Sequence, residues 1–250
     1  MTKLTTVVAY VLRLILFIQE KGGVGKSTLT RALIECIPDS AILEIDSAHR
    51  LLEYGDRVRF FPMRTSRDEI ERTGGRAARG EFDAVIDTIS SLTGCAIGDV
   101  GANTGRAILS ALADVAPILS DLGIEIAVAV VTTAEPGALA EVPNLLALAQ
   151  PWAAKTWVVE NRMRGAVSPA VLEKVAGGTP ILSLDELALD DEAAALLQGG
   201  GLASIPRLDI EKLKEKYGVA RAVRIRRDLT HFRLMAMKAV EPIAQWAVGE

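Results

Sequence analysis

Cysteine is scarce in this chain: Cys36 and Cys95 are the only two, far apart and without metal-ligand spacing. That argues against a disulfide framework or a zinc site, and a reducing cytoplasm fits. Aromatic residues are also few, 4% where half of the residues are apolar, so the core must be largely aliphatic. A chain of 250 residues can bury one substantial core of this kind, and a single α/β domain over residues 1–250 is the natural match. An excess of basic charge is missing too: a net charge of −4 and a pI near 5.4 do not describe a protein that coats nucleic acid with its whole surface, so charge must be read locally. No repeat, low-complexity tract or clear interdomain linker is visible.

One long apolar run is present. VVAYVLRLILFI, just after Lys3, imitates a signal peptide or a short membrane anchor. Arg13 interrupts it, no small-residue cleavage site follows, and it leads straight into a glycine loop, as a buried first strand must. Residues 1–12 then read as an N-terminal extension. Downstream, strand-like AILEID, VRFFPM, CAIGDVG, IEIAVAVVTT and TWVVEN alternate with helical patterns, among them FDAVIDTISSLT and VPNLLALAQ. PILSL and LASI are short strand candidates, and residues 205–250 read as a basic, helical C-terminal segment of the same domain. The alternation predicts a doubly wound, mostly parallel sheet with helices on both faces, whose ligands bind beyond the carboxyl ends of the strands.

The densest chemistry lies in QEKGGVGKST, residues 19–28. Gly22, Gly23 and Gly25, with Val24 between them, let the backbone wrap phosphate oxygens so that amide groups and the N-terminus of the next helix point at an anion. Lys26 adds a mobile positive charge, Ser27 a hydroxyl that ligates Mg²⁺, and Thr28 a further phosphate contact. Lys21 is the surplus residue, because a plain phosphate loop needs one lysine and Lys26 is that lysine.

KGGVGKST resembles the deviant Walker A motif of the ParA and MinD class of P-loop ATPases. The resemblance implies ATP and Mg²⁺ as ligands, and an ATP-dependent homodimer in which Lys21 reaches across a two-fold axis to the partner's phosphates. It implies that Asp46, in EIDSAHRL, positions the attacking water, although Ser47 stands where the family has proline. Asp99, in CAIGDVGANTG, is the choice for the Mg²⁺-associated carboxylate, acting through water, over Asp87 in AVIDTIS, whose helical spacing puts it on a solvated face. Gly101 is expected to bring a backbone N–H to the terminal phosphate. Asn161 is expected to read the adenine edge, with Pro206 of the IPRL loop flanking the base. The order of these segments is most similar to the ParA-like ATPases of conjugative transfer operons, the TraL type.

From Arg207 to Lys238, ten basic residues face four acidic ones. A patch of that kind suits nonspecific DNA, with Arg224, Arg226 and Arg227 at its centre, and equally suits a solvated helix face. A second basic run spans Arg57 to Arg79. The apolar positions of the last segment, Leu229, Phe232, Ala236, Val240, Ile243 and Trp246, have little basic charge after Lys238, so the segment is expected to pack on the domain and not to insert into a membrane. The function classes left standing are a slow ATPase acting as a dimerisation switch in plasmid partition or conjugative transfer, aided by a partner protein; a nucleotide-gated adaptor or targeting ATPase with little turnover; and a P-loop ligase or kinase of cofactor synthesis.

Overall fold

The computed structural model describes residues 12–64, 72–73 and 79–249. Its elements are β1 (Leu12–Ile18), α1 (Lys26–Cys36), β2 (Ala41–Asp46), a 3-10 turn (Leu52–Arg57), β3 (Val58–Pro62), α2 (Arg79–Ser91), β4 (Cys95–Val100) and α3 (Gly105–Asp121). They continue through β5 (Ile124–Thr132), α4 (Pro136–Ala149), β6 (Lys155–Asn161), α5 (Pro169–Ala176), β7 (Ile181–Leu184), α6 (Asp191–Ser204), a 3-10 turn (Ile205–Arg207), α7 (Ile210–Tyr217) and α8 (Val219–Val248). The expectations for residues 1–11, and for most of the basic run after Arg64, fall outside the described residues.

The strands form one parallel sheet in the order β3-β2-β4-β1-β5-β6-β7. Side chains alternate across it with the strand period of two. In β1, Leu12, Leu14, Leu16 and Ile18 pack with α2 to α5, while Ile15 and Phe17 pack with α1, α6, α7 and α8. A strand buried on both faces has almost no polar side to show, which is why β1 reads as an apolar run broken only by Arg13 near its start. At the sheet edge, β3 ends in Pro62, a position where a missing N–H costs no interior ladder bond.

Strand order also positions the site. From β1 the chain leaves into α1 on one face, and from the adjacent β4 it leaves into α3 on the other. The two departures open a crevice beyond the carboxyl ends of β1 and β4. The C-terminal helix closes the α1 face: Leu229, Phe232, Ala236, Val240 and Ile243 are buried in the core, Arg233 pairs with Glu35 of α1 at 2.5 Å, and Trp246 meets Trp157 edge to face. No helix among the described residues is long and apolar enough to cross a membrane.

LASI is not a strand. It lies at the end of α6 and the start of the following turn. Asp190 caps that helix by accepting from Ala193 N at 2.9 Å, and Asp191 and Glu192 complement the dipole of its first turn. Helical geometry runs on to a kink at Gly201, φ 61°, and buries Leu202. A short apolar run does not distinguish strand from helix by its period.

Candidate nucleotide site

The glycine loop bridges β1 and α1 and is braced from the ends of neighbouring strands. Fully buried Gln19 donates from Nε2 to Val131 O at 2.7 Å and to Ala138 O at 3.1 Å, and its Oε1 accepts Glu20 N at 2.9 Å. Glu20 ties the loop to the start of α3, its Oε1 accepting Arg106 N at 2.7 Å. Gly25 sits in the left-handed region at φ 95°, and a Cβ there would lie 2.2 Å from Asn161 Nδ2. That amide donates to Val24 O at 2.9 Å, while Asn161 Oδ1 accepts Met163 N at 3.1 Å. Asn161 therefore holds the loop. Each end of its amide makes one bond inside the protein, so one N–H and one lone pair remain with which it could meet an adenine edge.

Beyond Gly25, α1 begins with no side-chain cap and no acidic residue in its first turn, leaving its first amide groups for an anion. Lys26 is buried, and its Nζ donates to Gln19 O at 3.0 Å and Lys21 O at 3.4 Å. Burial lowers its pKa, and Asp99, Asp46 and Glu20 work against that shift. Asp99, at the end of β4, is 3% exposed and accepts Thr30 Oγ1 at 3.2 Å and the Ser27 hydroxyl. Burial pushes its carboxyl up to about 6; the Ser27 bond and the Lys26 charge oppose the rise, and Glu44, its register partner on β2, adds to it. Asp87, the competing aspartate, is exposed on α2.

These groups line an open pocket of about 530 Å³ formed by residues 22–28 with Asp46, Arg50, Asp99 and Gln198. Sequence reasoning missed Arg50 and Gln198. Asp46 ends β2, its Oδ1 within 3.2 Å of Ser47 Oγ and 3.4 Å of Ala48 N. Gly101 lies against it, where a Cβ would come within 2.7 Å of Asp46 Cγ. The Gly101 N–H expected at a terminal phosphate donates instead to Ile45 O at 2.7 Å, because the β2–β4 ladder runs on into the loop. The part Gly101 plays in this structure is steric: it leaves room for the Asp46 carboxylate.

The loop after Asp46 hangs on a carboxylate. Glu44 is fully buried, and its Oε1 accepts Arg50 N at 2.6 Å and Leu51 N at 3.2 Å, while Oε2 bonds His49 Nδ1. Arg31 of α1 holds the same loop from outside, with Nη2 donating to Arg50 O at 2.8 Å and Nε pairing with Glu53.

Two expected residues lie elsewhere. Lys21 is not among the residues lining the pocket; its Nζ pairs with Glu135 Oε1 at 2.9 Å, both side chains about half exposed. Pro206 lines a separate pocket of about 500 Å³ with Ile34, Pro38 and Tyr54 near the C-terminal end of α1, so it does not join the phosphate loop. On α8, Arg224, Arg226 and Arg227 are exposed; Arg227 pairs with Asp228, and Arg224 and Arg226 make no ion pair among the described residues.

A parallel sheet whose central strand runs into a braced glycine loop, with a buried lysine and a buried aspartate beyond it, defines a P-loop nucleotide-binding fold. No protein-family model matches the sequence, and no curated protein matches it. Among solved structures the chain is similar to a ParA family ATPase from Chlorobium tepidum TLS, with 17% identity, a TM-score of 0.53, and 96% of this chain and 99% of that one covered. It is also similar to Cyanthece apo McdA, at 15% identity, TM-score 0.48 and 88% and 99% coverage. A third is the MinD cell division protein of Aquifex aeolicus, at 13% identity, TM-score 0.46 and 88% and 97% coverage. The first of these likenesses carries the fold assignment: the chain has the α/β architecture of a ParA-type P-loop ATPase.

Proposed function

We propose that this protein is a Mg-ATP-dependent dimerisation switch with slow, partner-stimulated ATP hydrolysis. Its field of action is plasmid or DNA partition or, by its likeness to the TraL type, conjugative DNA transfer. The observation that carries the reading is the division of labour between two lysines of one loop. Lys26 is buried in the pocket with only carbonyl oxygens as partners. Lys21 is turned out of it to a half-exposed ion pair, from which a second copy's phosphates are an attractive exchange for its single carboxylate.

The donor set fits Mg²⁺, a hard cation that favours oxygen and keeps much of its water. Ser27 Oγ would hold it directly and Asp99 through water, with the phosphates supplying the rest; among the described residues no cluster of three or more His, Cys, Asp or Glu could hold a metal. When bound, the ion neutralises charge on the transferring phosphoryl group. In the same reading Lys26 and the loop amides grip the phosphates, Asp46 orients the attacking water, and Lys21 of a second copy stabilises charge in trans. Hydrolysis then removes the charge that holds two subunits together.

Steady-state ATPase measurements with and without DNA, paired with sizing in ATP, test the reading. Lys21→Ala is expected to bind ATP as a monomer and to lose both dimerisation and turnover. A Lys21→Ala protein that dimerises and hydrolyses like wild type would reduce the motif to an ordinary phosphate loop. DNA binding should require ATP, fall steeply with salt and weaken on charge reversal at Arg224 and Arg226; a salt-independent response removes the partition reading while leaving the switch.

A further inference from the structure

Two cations line the nucleotide pocket, and the phosphate loop accounts for only one. Lys26 is buried and belongs to the loop. Arg50 is the other. Its side chain is 59% exposed, and its one ion pair among the described residues runs from Nε to Oδ2 of the mostly buried Asp46 at 3.3 Å. Its backbone, by contrast, is fixed from both sides: Glu44 Oε1 accepts its N–H at 2.6 Å, and Arg31 Nη2 donates to its carbonyl at 2.8 Å. The next residue, Leu51, is buried and bonded to the same Glu44 carboxylate. A long, largely exposed side chain on a fixed pivot, held among the described residues by a single ion pair, can swing without disturbing the loop that bears it.

Where Arg50 rests also matters. Asp46 Oδ1 is turned toward Ser47 and Ala48, so Oδ2 is the oxygen left to hold a water, and Oδ2 is the one that Arg50 covers. Gly101 lies against the carboxylate on the β4 side, where any Cβ would strike it.

We infer that Arg50 reads the terminal phosphate of a nucleoside triphosphate: without one it rests on Asp46 Oδ2, and with one it moves onto the terminal phosphate and uncovers Asp46 for the attacking water. A single 3.3 Å contact from a guanidinium that is mostly in solvent is readily exchanged for a stronger one. A terminal phosphate offers a guanidinium more charge and a geometry that accepts two parallel N–H bonds. A diphosphate lacks that group, so with ADP the side chain stays on Asp46. The inference rests on the nucleotide-site reading above and deepens it. It makes the discrimination between ATP and ADP partly a property of this one side chain, within a single subunit and before any second copy docks.

Calorimetric titration with AMPPNP and with ADP, each in Mg²⁺, tests it on wild type, Arg50→Ala, Arg50→Lys and Lys26→Ala. Arg50→Ala is expected to lose about tenfold in AMPPNP affinity while ADP affinity changes less than about twofold. Arg50→Lys should fall between, since an ammonium supplies charge without the fork. Lys26→Ala should lose both ligands. Equal losses for AMPPNP and ADP in Arg50→Ala, or no loss for AMPPNP, overturn the assignment of Arg50 and leave the nucleotide site standing. A wild-type protein that binds neither nucleotide overturns both readings. Circular dichroism and thermal melting of the Arg50 variants separate these outcomes from misfolding.

Discussion

The pocket has two walls, and they are built on different physics. The phosphate loop is held mainly by neutral hydrogen bonds from buried amides, Gln19 to the β5 and α4 carbonyls and Asn161 to Val24, with one carboxylate tie from Glu20 to Arg106 N and a glycine at the point where a side chain would strike the Asn161 brace. The wall from Asp46 to Arg57 is held by ions: Glu44 beneath it, Arg31 beside it, and residues 47–50 exposed. Braces of the first kind preform an anion cradle that does not wait for its ligand. Attachments of the second kind respond to any charge that arrives, and responsive segments are drawn from the less buried parts of a fold. On the proposed reading, binding falls to the first wall and switching to the second.

The largest effect that divides the walls is expected at Asp46. Asp46→Ala leaves the phosphate loop untouched, so ATP affinity should stay near wild type while single-turnover hydrolysis falls about 100-fold or more. By the dimerisation reading, the variant should accumulate as an ATP-bound dimer in sedimentation. Hydrolysis at the wild-type rate would move the water-positioning role to another acid and dissolve the contrast between the walls.

Glu44 tests how the second wall is fastened. Glu44→Ala strips the acceptor from Arg50 N and from buried Leu51 N and leaves His49 Nδ1 without its carboxylate. Losing those bonds should cost about 2–3 kcal/mol in urea denaturation. Glu44→Gln keeps one oxygen for the two amides and should recover most of that. Wild-type stability in Glu44→Ala would show that the loop is held from elsewhere.

The same contrast governs what the sequence could tell. The first wall is one contiguous motif at the end of one apolar strand, so its residues and their chemistry can be read in a row. The parallel sheet followed from strands alternating with helices, and α8 followed from its apolar spacing. The second wall is assembled from residues whose partners lie on other elements. Arg31 reads as an ordinary helix charge until the fold brings Arg50 O beside it, and nothing local marks Glu44 as a buried anchor. Gln198 reaches the pocket from α6, late in the chain and just before a glycine kink. Pro206 was misplaced for a related reason, since a motif-like tetrapeptide carries no information about which pocket its element will face.

The smallest expected effect returns to the first wall and to Asp99, whose buried carboxylate, like the Lys26 ammonium beside it, is held at a cost. Its carboxyl is pushed up to about 6 from an ordinary 3.8, chiefly by burial. The folded protein therefore keeps this proton until about pH 6, while the unfolded chain releases it near 3.8. Between those values the folded state binds more protons, so this group's contribution to stability falls as pH rises from about 4 to about 6 and is fully unfavourable above that. The shift alone sets a ceiling of roughly 3 kcal/mol at neutral pH. Asn in its place keeps an acceptor for Ser27 and Thr30 but forfeits the attraction to Lys26, so the net gain for nucleotide-free Asp99→Asn should be about 1 kcal/mol at pH 7. Urea midpoints at intervals between pH 4 and pH 7 would measure it. The wild type should lose stability relative to Asp99→Asn as pH rises through that window, and the variant should need more Mg²⁺ to bind ATP. Parallel pH profiles for the two proteins would mean that the carboxyl is already solvated, and the first wall would then be less dry and less preformed than its neutral braces imply.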